Sequence, residues 1–588
     1  MNTKLKWQEL QPDLSKFKNF FSSSFNLHLT DSNFFEMIQP RLNNGLNLLE
    51  HSNNRFPLML VKYDEHINYF SIINDSLNKK KKDKKLYGGH YQVNGNKISW
   101  QKASSINDNF ASHGDMISAD WTNTEELFGT VRIFNKIITL VPGLVHRANG
   151  GILVLNLRTV VSKPNIWFRL KNILMQKRFD WYSFTKKPFP VNIPSMPLFF
   201  KLILIGTRDL LKIFNYMEPK LTKLSIYSEV EDELYILNEK HLFIWCQWVT
   251  KIALYNNKNI RINADLWPVL FNEAVRFTGN QQFLPLCPCW IESQICAATQ
   301  YCNSAELDGK SLQRAISARE WRNNYLPMRL RDEFLFGQTI IQTEGMVIGQ
   351  INGISVIELE GYPFNFGEPL RISCVIHKGD GEIMDIERKV DLCGNIHYKG
   401  IMIIQSWLNS VLQIDQPLPF SASLVFEQNY SKIDGDSASL AVLCVVISAL
   451  ANQPITQEIA VTGSIDQFGN VQSVGKINEK IEGFFNICMP RTLTGKQGVI
   501  IPASNLRQLC LTPIIIDAVR NGKFNIWTVK NVQEAIELLT AMKWLATKDN
   551  EMSVLQKIKE RITQNNSTVT NKNYQNNCKW KKWFKWCF

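Results

Sequence analysis

The chain has 588 residues, of which 45% are hydrophobic and 20% are charged, with a net charge of +13. This length exceeds what a single hydrophobic core holds, and the composition excludes a wholly disordered chain, so we expect several folded domains. The first residues lack the apolar core of a signal peptide and the longest apolar run, Leu440 to Ala451, is too short to cross a membrane; these features predict a cytoplasmic protein with reduced thiols.

The N-terminal part of the chain predicts an α/β domain. Residues 1–50 read as a polar, partly helical lead-in, and residues 51–235 alternate short apolar runs with helical patterns. The clearest runs are Leu58–Val61, Gly151–Leu155 and Lys201–Gly206. Near-continuous apolar runs separated by helices are typical of strands buried on both faces of a parallel sheet.

A helical region is predicted for residues 236–335. Its tryptophans are interpreted as core or interface anchors. The region also holds a cysteine group, but zinc sites usually contain two close pairs, or cysteines followed by paired histidines. We therefore interpret these cysteines as small buried residues of a helical segment rather than as a metal site. The tryptophans are Trp245, Trp248, Trp267 and Trp321, and the cysteines are Cys287, Cys289, Cys296 and Cys302.

Residues 336–547 predict an α+β domain, with strand-like stretches before the long apolar helix Leu440–Ala451 and two strand–helix units after it. Residues 548–588 predict a polar tail that ends in the basic, aromatic stretch Lys579–Phe588. Interleaved Trp, Phe and Lys suit weak contact with a membrane surface, whereas a disordered terminus is the simpler alternative.

Ser437 is a candidate nucleophile. The sequence Gly-Asp-Ser-Ala-Ser of residues 435–439 lies where strand-like sequence gives way to the apolar helix. Free N–H groups and the dipole at a helix N-terminus favour developing negative charge. Serine is also a favoured N-cap residue, so the position alone does not distinguish a catalytic serine from a helix cap.

A serine nucleophile needs a base. All nine histidines precede Ser437, which excludes the order Ser, Asp, His, and Ser439 breaks the G-x-S-x-G pattern. His377 and His397 remain as candidates, although neither lies in a characteristic motif. Lysine is the other common base, and it must be buried enough to lose its proton.

The stretch Asp434–Lys480 resembles the proteolytic core of Lon proteases of the B type, which carry Gly-Asp-Ser-Ala-Ser around the nucleophile. The similarity covers about residues 340–545, and Ser437 and Lys480 are 43 residues apart, as in the family. The resemblance implies that Ser437 is the nucleophile, that Lys480 is its base and that Thr462 orients the lysine.

The resemblance also implies roles for two carboxylates beside the serine. Asp434 and Asp436 match acidic positions that gate the site or pair with the lysine in a resting state. Lys476 departs from the family, which commonly has a second glycine there; a cation at this position is expected to lower the pKa of Lys480 or to alter substrate entry.

B-type Lon proteases carry an AAA+ ATPase domain before the protease, and His146–Leu157 resembles its Walker B strand. Family members end this strand with Asp-Glu, whereas this chain has Asn156 and Leu157. The strand Leu58–Val61 is followed by a glycine-free loop with Asp64 and Glu65 instead of a phosphate loop. A near-match to that loop at Gly309-Lys310-Ser311 is interpreted as chance. We therefore expect a degenerate AAA+-like domain with no ATP cofactor and no metal.

The sequence thus predicts a serine endopeptidase that uses a Ser-Lys dyad on unfolded or damaged proteins, without ATP hydrolysis of its own. The family resemblance implies a ring of identical subunits. The alternative is a catalytically silent Lon-like scaffold or substrate-binding subunit. The positive charge raises nucleic-acid binding as a third hypothesis, which the lack of a recognisable nucleic-acid module disfavours.

Overall fold

The computed structural model describes residues 4–17, 20, 34–51, 57–63, 85–95, 97–135, 137–182, 189, 191–256, 259–302, 306–379, 381–412, 420–546 and 552–564. Asp64 and Glu65 of the predicted phosphate-site loop and the basic, aromatic end Lys579–Phe588 lie outside these residues. No helix in the described ranges has both the length and the hydropathy needed to cross a membrane.

The N-terminal half contains a parallel sheet, as predicted. The apolar runs form strands because β-branched and leucine side chains fill both faces; Leu60, Leu155 and Leu204 are fully buried. The strands of this half are β1 (Leu58–Lys62), β2 (Tyr87–Asn94), β3 (Lys97–Lys102), β4 (Phe110–Ser112), β5 (Met116–Ala119), β6 (Thr130–Phe134), β7 (Ile137–Val141), β8 (Ile152–Asn156), β9 (Arg178–Phe179), β10 (Met196–Pro197), β11 (Lys201–Gly206) and β12 (Ile226–Glu229).

The parallel sheet has the order β12-β1-β11-β8-β5. Helices cover its faces, and the side chains of β1, β8 and β11 enter the two cores that result. The helices are α1 (Phe34–Ile38), α2 (Pro40–His51), α3 (Thr124–Phe128), α4 (Leu144–Arg147), α5 (Leu157–Ser162), α6 (Pro164–Gln176), α7 (Arg208–Met217) and α8 (Pro219–Leu224).

The first residues do not form the separate lead-in that was predicted for residues 1–50. Leu5 and Leu10 are buried in a core of the C-terminal domain. The Leu5 N–H donates to the carbonyl of Ile526 (2.8 Å), and the Leu511 N–H donates to the carbonyl of Leu10 (3.0 Å). Helix α2, in contrast, packs on the five-stranded sheet through apolar side chains. The predicted lead-in is therefore divided between two domains.

The middle region is mainly helical. Trp245, Trp248 and Trp267 are buried, as core anchors are, whereas Trp321 is 81% exposed, which leaves only the interface role predicted for it. The prediction of buried cysteines is wrong, because Cys296 is exposed and the other three are half-buried. Short strands join the helices. The elements are β13 (Glu233–Tyr235), α9 (Glu239–Asn256), β14 (Arg261–Ile262), α10 (Leu266–Thr278), β15 (Phe283–Pro285), α11 (Pro288–Thr299), β16 (Glu306–Leu307), α12 (Gly309–Asn323) and α13 (Tyr325–Leu335).

The C-terminal domain is built on a mixed seven-stranded sheet. Its strands include β17 (Met346–Val347), β18 (Gln350–Ile357), β19 (Phe366–Lys378), β20 (Ile383–Asp385), β21 (Phe420–Phe426), β22 (Ile455–Thr456), β23 (Ile459–Val461), β24 (Ser464–Ile465), β25 (Val471–Gln472), β26 (Gly498–Pro502) and β27 (Asn525–Val529). The order in the large sheet is β20-β21-β19-β18-β23-β26-β27.

Helices pack on both faces of this sheet, and the most apolar of them begins beside Ser437. Every residue of that helix, α16, is buried, because it lies between the sheet and the surrounding helices. The helices are α14 (Ile386–Lys389), α15 (Asn395–Leu412), α16 (Ser439–Ala451), α17 (Ile477–Cys488), α18 (Pro513–Arg520) and α19 (Val532–Thr540).

The C-terminal domain extends further than predicted. Residues 554–564 are helical, and Val554, Ile558 and Ile562 are buried in the same core as α16. The Arg561 guanidinium donates to the carbonyls of Ala449 (2.6 Å) and Leu450, at the C-terminal end of α16, where a cation is favourable. The prediction that the polar tail begins at residue 548 is therefore wrong, because this helix packs into the core of the C-terminal domain.

Candidate active site

Ser437 lies in a turn two residues before α16 begins. Its backbone carbonyl accepts hydrogen bonds from the N–H of Gly463 (2.8 Å) and from the hydroxyl of Thr462 (3.3 Å). The N-cap of α16 is Ala438, and it makes no side-chain capping bond. Ser437 is therefore not the helix cap, which removes the simplest structural explanation for this serine.

Lys480 lies in the first turn of α17 and is 3% exposed. Its Nζ donates a hydrogen bond of 3.1 Å to Oγ1 of Thr462, which is fully buried. Burial lowers the pKa of the Lys480 ammonium to about 8, although the Asp436 carboxylate opposes this by raising it. A lysine with this pKa is partly neutral near physiological pH, as a general base must be.

Two glycines explain how Lys480 becomes so deeply buried. A Cβ at Gly367 on β19 would lie 2.1 Å from the carbonyl oxygen of Glu479, and a Cβ at Gly483 on α17 would lie 2.3 Å from the carbonyl oxygen of Gly367. The helix that carries Lys480 thus rests directly on the backbone of β19. Sequence reasoning missed this contact, because two glycines 116 positions apart give no local signal.

Thr462 connects the two candidate catalytic residues. Its hydroxyl accepts from Lys480 and donates to the carbonyl of Ser437. Among the described residues, no hydrogen bond joins the Ser437 hydroxyl directly to Lys480. Catalytic hydrogen bonds are often long without substrate and shorten when it binds, so this geometry is compatible with base catalysis.

The two carboxylates beside the serine occupy different environments. Asp436 accepts a hydrogen bond of 2.8 Å from the hydroxyl of Ser464 and raises the pKa of Lys480 through its charge. Asp434 is exposed and lies against Gly394 instead. Within the described ranges, neither forms an ion pair with Lys480. Of the two, Asp436 is the one that influences the lysine electrostatically, and its partner Ser464 had no predicted role.

Lys476 is exposed and has a φ of 55°, in the left-handed region. That conformation explains why a glycine suits the position. Of the two effects expected of Lys476, a lowered pKa of Lys480 is not supported, because that shift arises from burial and is opposed by Asp436. An effect of Lys476 on substrate entry stays a prediction.

The two alternative histidine bases are placed elsewhere. His377 is exposed on β19, where it pairs with Ser421 of β21. His397 is buried, with Nε2 3.3 Å from a carboxylate oxygen of Asp385. In the described part of the chain none of His377, His397 and Lys480 bonds the Ser437 hydroxyl directly. Lys480 does donate to Thr462, whose hydroxyl contacts the Ser437 carbonyl, and this makes it the better-placed base.

At the carboxyl edge of the five-stranded sheet, the polar side chain at the end of β8 caps a helix. The Asn156 side chain at the end of β8 accepts from the N–H of Arg158 (2.9 Å) and donates to the carboxylate of Asp120 (2.8 Å). It thus caps α5. The near-match at Gly309-Lys310-Ser311 is also a helix start, in which Asp308 accepts from the N–H of Ser311 (2.7 Å).

Comparison with known proteins agrees with this architecture. Residues 115–226 match the LonB-like AAA domain, and residues 427–542 match the Lon protease (S16) C-terminal proteolytic domain. A Lon protease homolog of Escherichia coli (strain K12) is 48% identical over 586 residues, which cover 99% of both chains. The chain belongs to the Lon protease family.

Other Lon relatives support the same assignment. A Lon protease homolog of Haemophilus influenzae is 40% identical over 91% of this chain and 89% of its own length. An archaeal Lon protease of Methanocaldococcus jannaschii is 40% identical over 114 residues, or 19% of this chain. Family membership confirms the predicted order of an AAA-like α/β domain followed by a Lon proteolytic domain.

Proposed function

We propose that this Lon homolog is a serine endopeptidase in which Ser437 is the nucleophile and Lys480 is the general base. The observation that carries the proposal is the burial of Lys480 against Thr462, which in turn contacts the serine backbone. A buried lysine without an ion-pair partner is costly to a fold, and perturbed groups of this kind are concentrated at functional sites. A silent scaffold has no need to maintain this arrangement.

The chemistry follows from the protonation state of the lysine. Neutral Lys480 takes the proton from the Ser437 hydroxyl as Oγ attacks the carbonyl carbon of the scissile peptide bond. The resulting ammonium then returns that proton to the departing amine, which leaves an acyl-enzyme ester on Ser437. Water, deprotonated by the regenerated neutral lysine, hydrolyses the ester and restores the serine.

The loop also provides a site for the negative oxygen of the tetrahedral intermediate. Within the described structure, the N–H groups of Ser437 and Ala438 have no hydrogen-bond partner, and they lie at the N-terminal end of α16. Unpaired donors at a helix N-terminus stabilise developing negative charge without reorganisation. We assign the oxyanion to this end of the helix.

We further propose that peptide hydrolysis does not depend on ATP hydrolysis by this chain. Asn156 and Leu157 replace the residues that would bind magnesium and activate water, and the Asn156 side chain is committed to capping α5 and to Asp120. Without nucleotide-driven unfolding, the substrates are unfolded or damaged proteins and short peptides. By family resemblance, the subunits form a ring.

Degradation of casein tests both proposals. Wild type and Ser437→Ala are compared with and without ATP and magnesium, and Ser439→Ala serves as a control, because that hydroxyl instead donates to the carbonyl of Asp436. We expect cleavage by wild type and by Ser439→Ala, none by Ser437→Ala, and no dependence on ATP. Equal cleavage by wild type and Ser437→Ala would contradict the nucleophile assignment. Cleavage only with hydrolysable ATP would contradict ATP independence alone.

A further inference from the structure

A second group of reactive side chains lies in the proteolytic domain, outside the Ser-Lys site. Asp385 ends β20, Cys393 precedes α15, and His397 lies in the first turn of α15. One potential ligand atom from each lies within 4.8 Å of the other two. We call these three residues the Asp385 cluster. None of the cysteines of the middle region belongs to it.

The cluster contains buried polar atoms that lie close together without forming well-aligned hydrogen bonds. The side chains of Asp385 and His397 are each 3% exposed. Both carboxylate oxygens of Asp385, Nε2 of His397 and Oε2 of the neighbouring Glu387 lack a well-aligned hydrogen bond within the described structure. The contact of 3.3 Å between His397 and Asp385 offsets only part of the free-energy cost of burying these polar groups, and a cation between them would offset more of it.

The chemistry of the donors identifies that occupant. A thiolate, an imidazole nitrogen and a carboxylate oxygen together are typical ligands of Zn²⁺, whereas Ca²⁺ and Mg²⁺ prefer oxygen alone. Two carboxylates, Asp385 and Glu387, provide negative charge that a cation would compensate. Glu387 accepts from the N–H of Phe426 through Oε1 (2.8 Å), and its side chain interacts with that of Asp385, so it supports a ligand of the cluster from outside.

The cluster is joined to the loop that carries the nucleophile. The backbone of Cys393 forms an isolated parallel β-bridge with that of Ile433, and the Gly394 N–H donates to the Ile433 carbonyl (2.7 Å). The Asp434 carboxylate lies against Gly394. On the other side, the ring of His397 packs edge-on against Phe426 at 5.2 Å. The cluster thus contacts the chain at both ends of the segment that leads from β21 to Ser437.

From these observations we propose that Asp385, Cys393 and His397 bind a zinc-class divalent cation that holds the segment from Phe426 to Ser437 in place. The metal is structural, because it would link the buried polar side chains that lie between β20, α15 and the serine loop. It takes no part in the reaction, because Ser437 and Lys480 supply the nucleophile and the base.

Cobalt binding tests the site independently of peptidase activity. The full-length Ser437→Ala protein is stripped with a chelator and titrated with Co²⁺, which reports thiolate ligands by a charge-transfer band in the near ultraviolet. We expect that band in Ser437→Ala and its loss when Cys393→Ser is added. Cys374→Ser is the matched control, because Cys374 is buried on β19 of the same domain but outside the cluster, and it should leave the band unchanged.

Zinc affinity, measured by competition with a chromophoric chelator, gives the second reading. His397→Gln should weaken binding by at least about tenfold, and His377→Gln should not alter it. If His397→Gln does not fold, Cys393→Ser alone decides, since it changes one atom at a half-buried position. Absence of tight zinc binding by the parent protein, or a cobalt band that survives Cys393→Ser, would overturn the site. Both readings leave the assignment of Ser437 untouched.

Discussion

The two halves of the molecule differ in what their polar side chains do beside the sheets. In the proteolytic half, each chemical group has buried support: Lys480 has Thr462, and the Ser437 loop is held by Gly463. In the N-terminal half, the parallel sheet is intact, but at the end of β8 Asn156 serves as a helix cap. Because a fold rests on many apolar contacts and its chemistry on a few polar positions, two well-formed folds are compatible with the proposal that only the proteolytic half is active.

The largest expected effect is the loss of the dyad. Ser437→Ala and Lys480→Met should each reduce peptide hydrolysis by at least about a thousandfold, and the double variant should be no worse, because groups that act as one unit are strongly non-additive. Steady-state rates on a fluorogenic peptide measure this. Lys476→Met, which removes the exposed lysine at the N-cap of the same helix, serves as the control for loss of a lysine. Substantial turnover by Lys480→Met would contradict the lysine base and favour His377 or His397 in that role.

Substitution of Thr462, which contacts both residues of the dyad, should have an intermediate effect on the rate of peptide hydrolysis. Thr462→Val deletes the hydroxyl that contacts both Lys480 and the Ser437 carbonyl, so the rate should fall on the order of ten- to a hundredfold through misplacement of the base. Thr462→Ser retains the hydroxyl and should recover most of the rate. If Thr462→Ser is as slow as Thr462→Val, the methyl group rather than the hydrogen bond is what matters, and the positioning role is wrong.

Truncation distinguishes the C-terminal helix from the residues after it. A chain that ends after Asn571 keeps residues 554–564 and should retain its stability and its peptidase activity. A chain that ends after Ala546 loses three buried aliphatic side chains and the contact of Arg561 with the end of α16. We expect it to lose several kcal/mol of the free energy of unfolding of the proteolytic domain, which denaturant unfolding measures. Equal stability of the two truncations would show that the helix contributes little.

The smallest effects are expected in the N-terminal half. Asn156→Ala removes the cap of α5 and should cost about 1 kcal/mol of stability, whereas Asn156→Asp keeps a capping oxygen. Phosphate release from ATP should stay at background for wild type and both variants. A steady ATPase rate in wild type that Asn156→Ala lacks would show that this half retains nucleotide chemistry and that the contrast between the halves is false.

The sequence predicted those features that depend on local patterns. Strands rich in Ile, Leu and Val and the long apolar helix were found within a residue or two, because their periodicity and composition report burial. Ser437 and Lys480 were predicted as the dyad from a motif of fixed spacing, and this assignment stays a prediction. Features that depend on distant contacts were missed. Leu5 and Leu10 pack on the C-terminal domain and bond to Ile526 and Leu511, far along the chain. The sequence of residues 554–564 was interpreted as polar, because few of its side chains enter the core.

The residues that support the site also could not be predicted from local sequence patterns. The close approach of Gly367 to Gly483 needs the tertiary fold, as does the hydrogen bond from Ser464 to Asp436. The pKa of Lys480 could be anticipated only as a requirement of the chemistry, whereas its cause, burial beneath β19, is visible in the structure alone. For Lys476 the sequence suggested an effect that the structure does not support. Its proximity to Lys480 in sequence suggested that its charge lowers the pKa of Lys480, whereas burial is what lowers that pKa.

The central claim is that buried Lys480 activates Ser437, and the rate at which a fluorophosphonate probe labels Ser437 tests it most directly. Because the reactive form of Lys480 is the neutral one and its pKa is about 8, the labelling rate should rise with pH and level off above that value. Mass spectrometry should place the adduct on Ser437, and Lys480→Met should lose both the rate and its pH dependence. An adduct on Ser437 that forms in Lys480→Met at the wild-type rate and with the wild-type pH profile would contradict the account.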